Sequence, residues 1–297
     1  QKAKLYAWEK LLRQSLAFGH VDANRLYVFG ISEGGYGSQR LASYYADYWA
    51  GVGPMAGGEP LKNAPVENCA NLAFSFLTGA MDEGFYRNKL TGYTKTAFDS
   101  LQAKYAGRLM NHSADSLFRH RIELIPNCGH SIDYSLTTPW LKTYKRNPYP
   151  HTFMWEDYPM DGQRRQGFYN LYVMKRPKAA DGLKDASGED RDYYEMDIQD
   201  NVIRLSVKKV TYQTLERDPV YGIDLKFTKS YHPVIGGKWK IYLNDQLVDM
   251  NRPVTVFIND RKAFEGKLVP RMEDMITSCM EYFDPCRVFP ASVDVAL

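Results

Sequence analysis

Apolar and polar positions repeat with different periods in the two halves of the chain. In the first half, Leu5, Trp8, Leu12 and Leu16 recur three and four residues apart, the stripe of an amphipathic helix. A turn at Asp22–Asn24 leads into Leu26–Phe29, a short apolar run with the character of a buried strand. A glycine-rich helix follows, then strands near Val52 and over Leu72–Leu77. A helical stretch runs to about Tyr105, Arg121–Ile125 supplies another strand, and a short helix follows Pro139. Strands alternating with helices pair in parallel through right-handed crossovers, so this half predicts an α/β architecture with helices on both faces of the sheet.

The second half alternates apolar and polar residues over Val202–Val207, Ile223–Phe227, Trp239–Leu243 and Val254–Ile258, the period of half-buried antiparallel strands. Asn244-Asp245 and Asn259-Asp260 stand where turns are needed. One helix interrupts, with Met272, Met275, Ile276, Cys279 and Phe283 expected on its inner, core-forming face, and a last strand lies near Val288–Val295. The pattern is that of a β-sandwich-like domain with one helix. Pro148 and Pro150 stop the preceding helix and place the join, giving an α/β domain over residues 1–146 and a β-domain over 147–297. The polar stretch Lys178–Asp192 reads as an exposed loop.

Composition narrows the function without naming it. The 297 residues are 44% hydrophobic and 25% charged, which allows cores of ordinary size. The 38 basic and 35 acidic residues nearly cancel, leaving +3 and no basic stripe suited to nucleic acid. No apolar run approaches the roughly 20 residues that span a bilayer. The cysteines, Cys69, Cys128, Cys279 and Cys286, form no C-x-x-C pair of the kind that ligates zinc, and no metal or organic cofactor is called for.

The chemistry concentrates at three loops. Gly30-Ile31-Ser32-Glu33-Gly34 fits G-x-S-x-G and stands between a strand and a helix, the context that a nucleophile elbow requires. A serine hydroxyl needs a base to take its proton. Of the six histidines, His130 follows a parallel strand in the flexible loop Pro126–His130, whereas His20, His112, His120, His151 and His232 have no such placement. Asp82 follows the Leu72–Leu77 strand and supplies the acid that orients an imidazole. Glu83 beside it and Asp133 beyond His130 are rivals for that part. Ser, Asp, His is the chain order of an α/β-hydrolase triad. Tyr36, Phe85, Tyr86 and Trp140 lie near motif ends, as pocket walls or core.

At Gly30–Gly35, Gly79–Asn88 and Gly129–Asp133, over about residues 1–146, the chain resembles the α/β-hydrolase superfamily. More narrowly it is similar to secreted hydrolases of the prolyl-oligopeptidase and polyhydroxybutyrate-depolymerase-like kind. The later part, through Asn244–Asp249 to Ala291-Ser292-Val293, resembles accessory β-domains of bacterial members. The resemblance implies Ser32 as nucleophile, His130 as base, Asp82 as acid and the backbone N–H of Glu33 as one oxyanion-hole donor. It also implies a secreted or periplasmic protein that cleaves a small acyl substrate; an ester is expected in preference to a peptide because nothing here suggests the large propeller that screens substrates in oligopeptidases.

The family's elbow strand is preceded by further strands, and here it stands close to Gln1. A preceding segment of roughly 100 residues or more, or a companion chain, is expected to complete the sheet and cover its apolar edge. No HGGG-like sequence supplies a second oxyanion donor. The competing expectation is a binding module on a degenerate hydrolase fold, with Trp155, Tyr158, Tyr193, Tyr194 and Trp239 stacking on sugar rings or meeting a protein.

Overall fold

The computed structural model describes residues 2–108, 116–180, 182 and 191–297, with side chains from Ala7 onward. His112, the Leu5 side chain and residues 183–190 of the polar stretch lie outside the described residues. The chain forms two compact units, one of Asn24–Asn147 and Tyr212–Thr228, the other of Gln1–Ala23, Pro148–Thr211 and Lys229–Leu297. Two segments therefore fall on the other side of the division drawn at residue 146: the N-terminal helix α1 (Lys2–Phe18) and the 212–228 segment.

The first unit is built on four parallel strands, β1 (Tyr27–Ile31), β2 (Gly51–Met55), β3 (Ala73–Gly79) and β4 (His120–Ile125), in the order β1-β2-β3-β4. Helices α2 (Glu33–Tyr44) and α3 (Arg87–Lys104) make the crossovers from β1 to β2 and from β3 to β4, α4 (Thr137–Leu141) follows β4, and all three pack on the sheet. Every residue of β2 and β3 is buried, as expected of central parallel strands covered on both faces. Phe74 of β3 meets Phe98 of α3 at 4.6 Å between ring centroids, and Phe118 closes the same cluster. Pairing of Ile31 with Met55, Met55 with Leu77 and Gly79 with Ile125 brings the carboxyl ends of all four strands to one edge. That edge is where α/β sheets carry their sites. Arg146 ties the end of the unit to its start, its N–H donating to the Asn24 carbonyl at 2.9 Å and its guanidinium to the carbonyl of Asp47 at 3.0 Å.

The second unit is β-rich. Its strands are β5 (Thr152–Asp157), β6 (Gly167–Phe168), β7 (Leu171–Lys175), β8 (Lys178–Ala179), β9 (Arg191–Gln199), β10 (Val202–Arg217), β11 (Asp224–His232), β12 (Val234–Ile235), β13 (Lys238–Leu243), β14 (Val254–Ile258), β15 (Arg261–Gly266) and β16 (Ala291–Ala296), with helix α5 (Met272–Tyr282) before the last. One sheet runs β15-β14-β10-β9-β5 with β11 on β10, and another runs β16-β13-β7-β6. The far ends of β10 and β11 belong to the first unit. Rings from the two sheets interlock: Trp155 stacks on Phe168 at 5.2 Å, and Tyr194 meets Trp239 edge-on at 6.3 Å.

Two expectations for this half need correction. β10 pairs antiparallel with β9 but parallel with β14, a geometry open to it because the long intervening segment allows a crossover that a tight hairpin would forbid. In α5 the apolar stripe is not the inner face: Met272, Met275 and Ile276 are 76%, 44% and 52% exposed, and Cys279 and Phe283 are exposed too. The buried face is Asp274, Ser278 and Tyr282. Hydrogen bonds and ring contact select it: Asp274 accepts from the Ser292 hydroxyl at 2.6 Å, the Ser278 oxygen accepts from the Phe289 N–H at 3.0 Å, and Tyr282 packs on Phe289.

Candidate active site

The elbow follows from how β1 hands over to α2. Ser32 sits between them at φ 56°, ψ −114°, a left-handed conformation that costs a non-glycine residue free energy and persists only where its surroundings impose it. They do so here. The Ser32 N–H donates to the Met55 carbonyl at 2.9 Å, and the Ser32 carbonyl accepts from Gly35 and Tyr36 as α2 begins. A Cβ on Gly30 would overlap the backbone of Gly34, so glycine is required where strand and helix come this close. Ser32 thus projects from the carboxyl edge of the sheet at a helix N-terminus, where backbone N–H groups and the helix dipole favour negative charge. Glu33 is the first residue of that helix.

The acid and base loops leave neighbouring strands and are stitched together. After β3, the Ala80 N–H donates to the Ile125 carbonyl and the Met81 N–H to the Cys128 carbonyl, both at 2.9 Å. The Tyr134 hydroxyl donates to the His130 carbonyl at 2.7 Å and pins the base loop from its far side. The result is one hydrogen-bonded line. His130 Nδ1 lies 2.8 Å from Asp82 Oδ2, and His130 Nε2 lies 3.0 Å from Ser32 Oγ.

Asp82 is 3% exposed. Burial pushes its carboxyl toward the neutral form, but hydrogen bonds from Arg87 and His130, together with their charge, outweigh this and hold its pKa below the ordinary carboxylate value. An ionised carboxylate can only accept, so Nδ1 carries the proton and Nε2 is left to accept from the serine hydroxyl. This is the arrangement in which a serine can surrender its proton during attack.

Between the rival acids the geometry is unambiguous: Glu83 is exposed, and Asp133 is used locally, accepting from the N–H and hydroxyl of Ser135 at 2.9 and 2.6 Å. Three other histidines have structural partners: His120 lies between the Phe118 carbonyl and Asp99, His151 faces the Gln246 carbonyl, and His232 meets the Thr211 hydroxyl.

The four candidate pocket aromatics do not converge. Phe85 and Tyr86 line an open groove of about 890 Å³ with Lys89, Tyr93, Leu124 and Tyr221. Phe85 packs on Tyr221 at 4.5 Å, and the Tyr86 hydroxyl donates to Asp218 at 2.8 Å. Tyr36 lies one turn along α2 with its hydroxyl buried beside the Arg87 guanidinium. Trp140 instead packs on Tyr144 at 4.7 Å. The residues proposed to stack on sugars, Trp155, Tyr158, Tyr193, Tyr194 and Trp239, are all at most 6% exposed and so form core, not a platform.

Sequence reasoning missed Arg87, Asp218 and Tyr221. Arg87 holds Asp82 in a two-pronged grip, Nε to Oδ2 at 2.9 Å and Nη2 to Oδ1 at 2.6 Å. Its trace in the sequence is faint: a cation in the first turn of a helix opposes the helix dipole and needs another reason to be there. Among the described residues, no group of three or more His, Cys, Asp or Glu side chains is placed to hold a metal ion, and no helix is long and apolar enough to cross a membrane.

No known family model and no curated protein matches the chain. Among solved structures, the crystal structure of a thermostable esterase aligns at 18% identity with a TM-score of 0.37, over 48% of this chain and 37% of the esterase. This chain therefore spans little more than a third of that protein's length, and an overlap this loose carries no argument about function.

Proposed function

We propose that the chain is a serine hydrolase of the α/β-hydrolase type, cleaving a carboxylic ester through an acyl-serine intermediate. Ser32 attacks the carbonyl, His130 takes its proton and returns it to the leaving group, and Asp82 steadies the imidazolium. The Glu33 N–H donates to the oxyanion, a contribution typically worth on the order of 100- to 1,000-fold in rate. The observation that carries the reading is the unbroken hydrogen-bonded line from Asp82 through His130 to Ser32 at the tips of three strands.

The groove beside the acid loop, walled by Phe85, Tyr86 and Tyr221, is read as a seat for one side of the substrate. The β-rich unit is read as a sandwich-like accessory domain. The β1 edge, where Phe29 and Ile31 are 52% and 44% exposed, is read as the seat of a further strand. Export to the periplasm or beyond belongs to the same reading.

A panel of short- and long-chain p-nitrophenyl esters and blocked dipeptide amides tests it. Ester turnover that disappears in Ser32→Ala is the expected result. Turnover of dipeptides alone would favour the peptidase, and no Ser32-dependent turnover of either class would leave a binding module. Fast hydrogen exchange over 27–31 in the native protein would contradict the added strand.

A further inference from the structure

Resting on that reading, we propose that Arg87 is a positioning residue that fixes the Asp82 carboxylate for His130 and keeps the site working in more acidic solution than it would without the cation. Its guanidinium occupies both oxygens of Asp82, so Oδ2 is shared between Arg87 Nε and His130 Nδ1. A triad acid needs one oxygen for the imidazole. Here the second oxygen and part of the first are held by a fixed cation that never titrates in the working range.

The same guanidinium lies near the buried hydroxyl of Tyr36, one helical turn beyond Ser32 on α2, without a hydrogen bond between them. The grip is sheltered, with Arg87 and Asp82 side chains 12% and 2% exposed, so solvent screens it little. Phe85 and Tyr86, immediately before Arg87, adopt φ 52° and 59°, left-handed conformations that persist only where the surroundings impose them, and the guanidinium lies 5.6 Å from the Phe85 ring centroid.

Charge sets the direction of the effect. A permanent cation behind the carboxylate disfavours adding a proton to Asp82. The other groups around the pair do not replace it. Glu59, after β2, is engaged by Arg40 at 2.6 Å; the Tyr36 hydroxyl is held neutral by burial; Glu83 is exposed; the Tyr134 hydroxyl donates to the His130 carbonyl, and the Cys128 carbonyl accepts from the Met81 N–H. Arg87 is the cation in direct contact with the carboxylate among the described residues.

The test is the rate at which a fluorophosphonate labels Ser32, measured against pH in the full chain, which requires no knowledge of the substrate. In Arg87→Gln the midpoint of the acidic limb moves up by about one pH unit. In Arg87→Lys, which keeps the charge but loses the two-pronged grip, the midpoint stays at the wild-type value while the plateau falls by roughly ten- to a hundredfold. The lysine variant decides the matter alone should the glutamine variant fail to fold. An acidic limb unmoved in Arg87→Gln, or moved equally in both variants, overturns the proposal, as does an Arg87→Lys plateau equal to wild type. Absence of Ser32 labelling in the wild-type protein is a different outcome: it removes the hydrolase reading itself, and this inference with it.

Discussion

Gly79, the last residue of β3, lies against the carbonyl oxygens of Cys128 and Gly129 in the loop that presents His130. A Cβ at this position would overlap both oxygens, so the base loop can reach Ser32 only because residue 79 has no side chain. Gly79→Ala is expected to displace that loop. Fluorophosphonate labelling should fall about a hundredfold, the scale that misplacement of about 1 Å produces, while the far-ultraviolet circular dichroism stays native. Wild-type labelling in a folded Gly79→Ala protein would show that the loop tolerates the displacement.

Asp82 makes the stability of the first unit depend on pH with a definite sign. Burial alone would raise its proton affinity, but Arg87 and His130 hold the folded pKa below the unfolded value of about 3.9. Its stabilising contribution is therefore complete above about pH 4 and is lost as pH falls through the lower folded value. Asp82→Asn leaves the Arg87 cation sheltered without its counter-charge, a loss of about 3 kcal/mol at neutral pH. Urea unfolding should show the gap between wild type and Asp82→Asn shrinking as pH drops below about 4. A gap constant across that range would contradict the ionised, Arg-held carboxylate.

The β-rich unit depends on interlocked rings. Phe168 is fully buried between Phe153, Trp155 and Tyr169. Phe168→Ala should cost about 3–5 kcal/mol, read as a lowered urea midpoint of the transition that reports this unit. A loss below about 1 kcal/mol would mean that the rings repack around the vacancy.

The cysteines differ in reactivity. Cys69 is buried and its thiol is pushed far above the ordinary pKa, first by burial and then by Glu67, whereas Cys279 is exposed on α5. Since the thiolate is the reactive form, iodoacetamide should alkylate Cys279 in the native protein and Cys69 only after unfolding. Peptide mapping that found Cys69 modified early would contradict its burial.

How much of this was legible beforehand varied with the kind of constraint. The four parallel strands and the elbow were visible because buried strands are runs of apolar residues and the strand–helix turn demands glycine at positions such as Gly30. Asp82 was favoured over Glu83 by its place after the strand, but adjacent acids differ only in which one the backbone turns inward, and that needs coordinates. The α5 stripe misled for the opposite reason: periodicity reports that a face is apolar, not which face is covered, and Asp274 and Ser278 are buried by hydrogen bonds that leave no periodic mark. Strand β10 runs on to Arg217 through largely exposed residues, so its length follows from pairing with β11 and not from burial. Arg87 stayed hidden because its grip on Asp82 is a contact between side chains.

The most direct test of the central claim is covalent. Incubation of the full chain with a fluorophosphonate, followed by peptide mapping, should find the label on Ser32 alone, with no label in Ser32→Ala and a rate reduced by several orders of magnitude in His130→Ala. Labelling that is absent from the wild-type protein, or equal in Ser32→Ala, would mean that the hydrogen-bonded line of Ser32, His130 and Asp82 does not make a nucleophile.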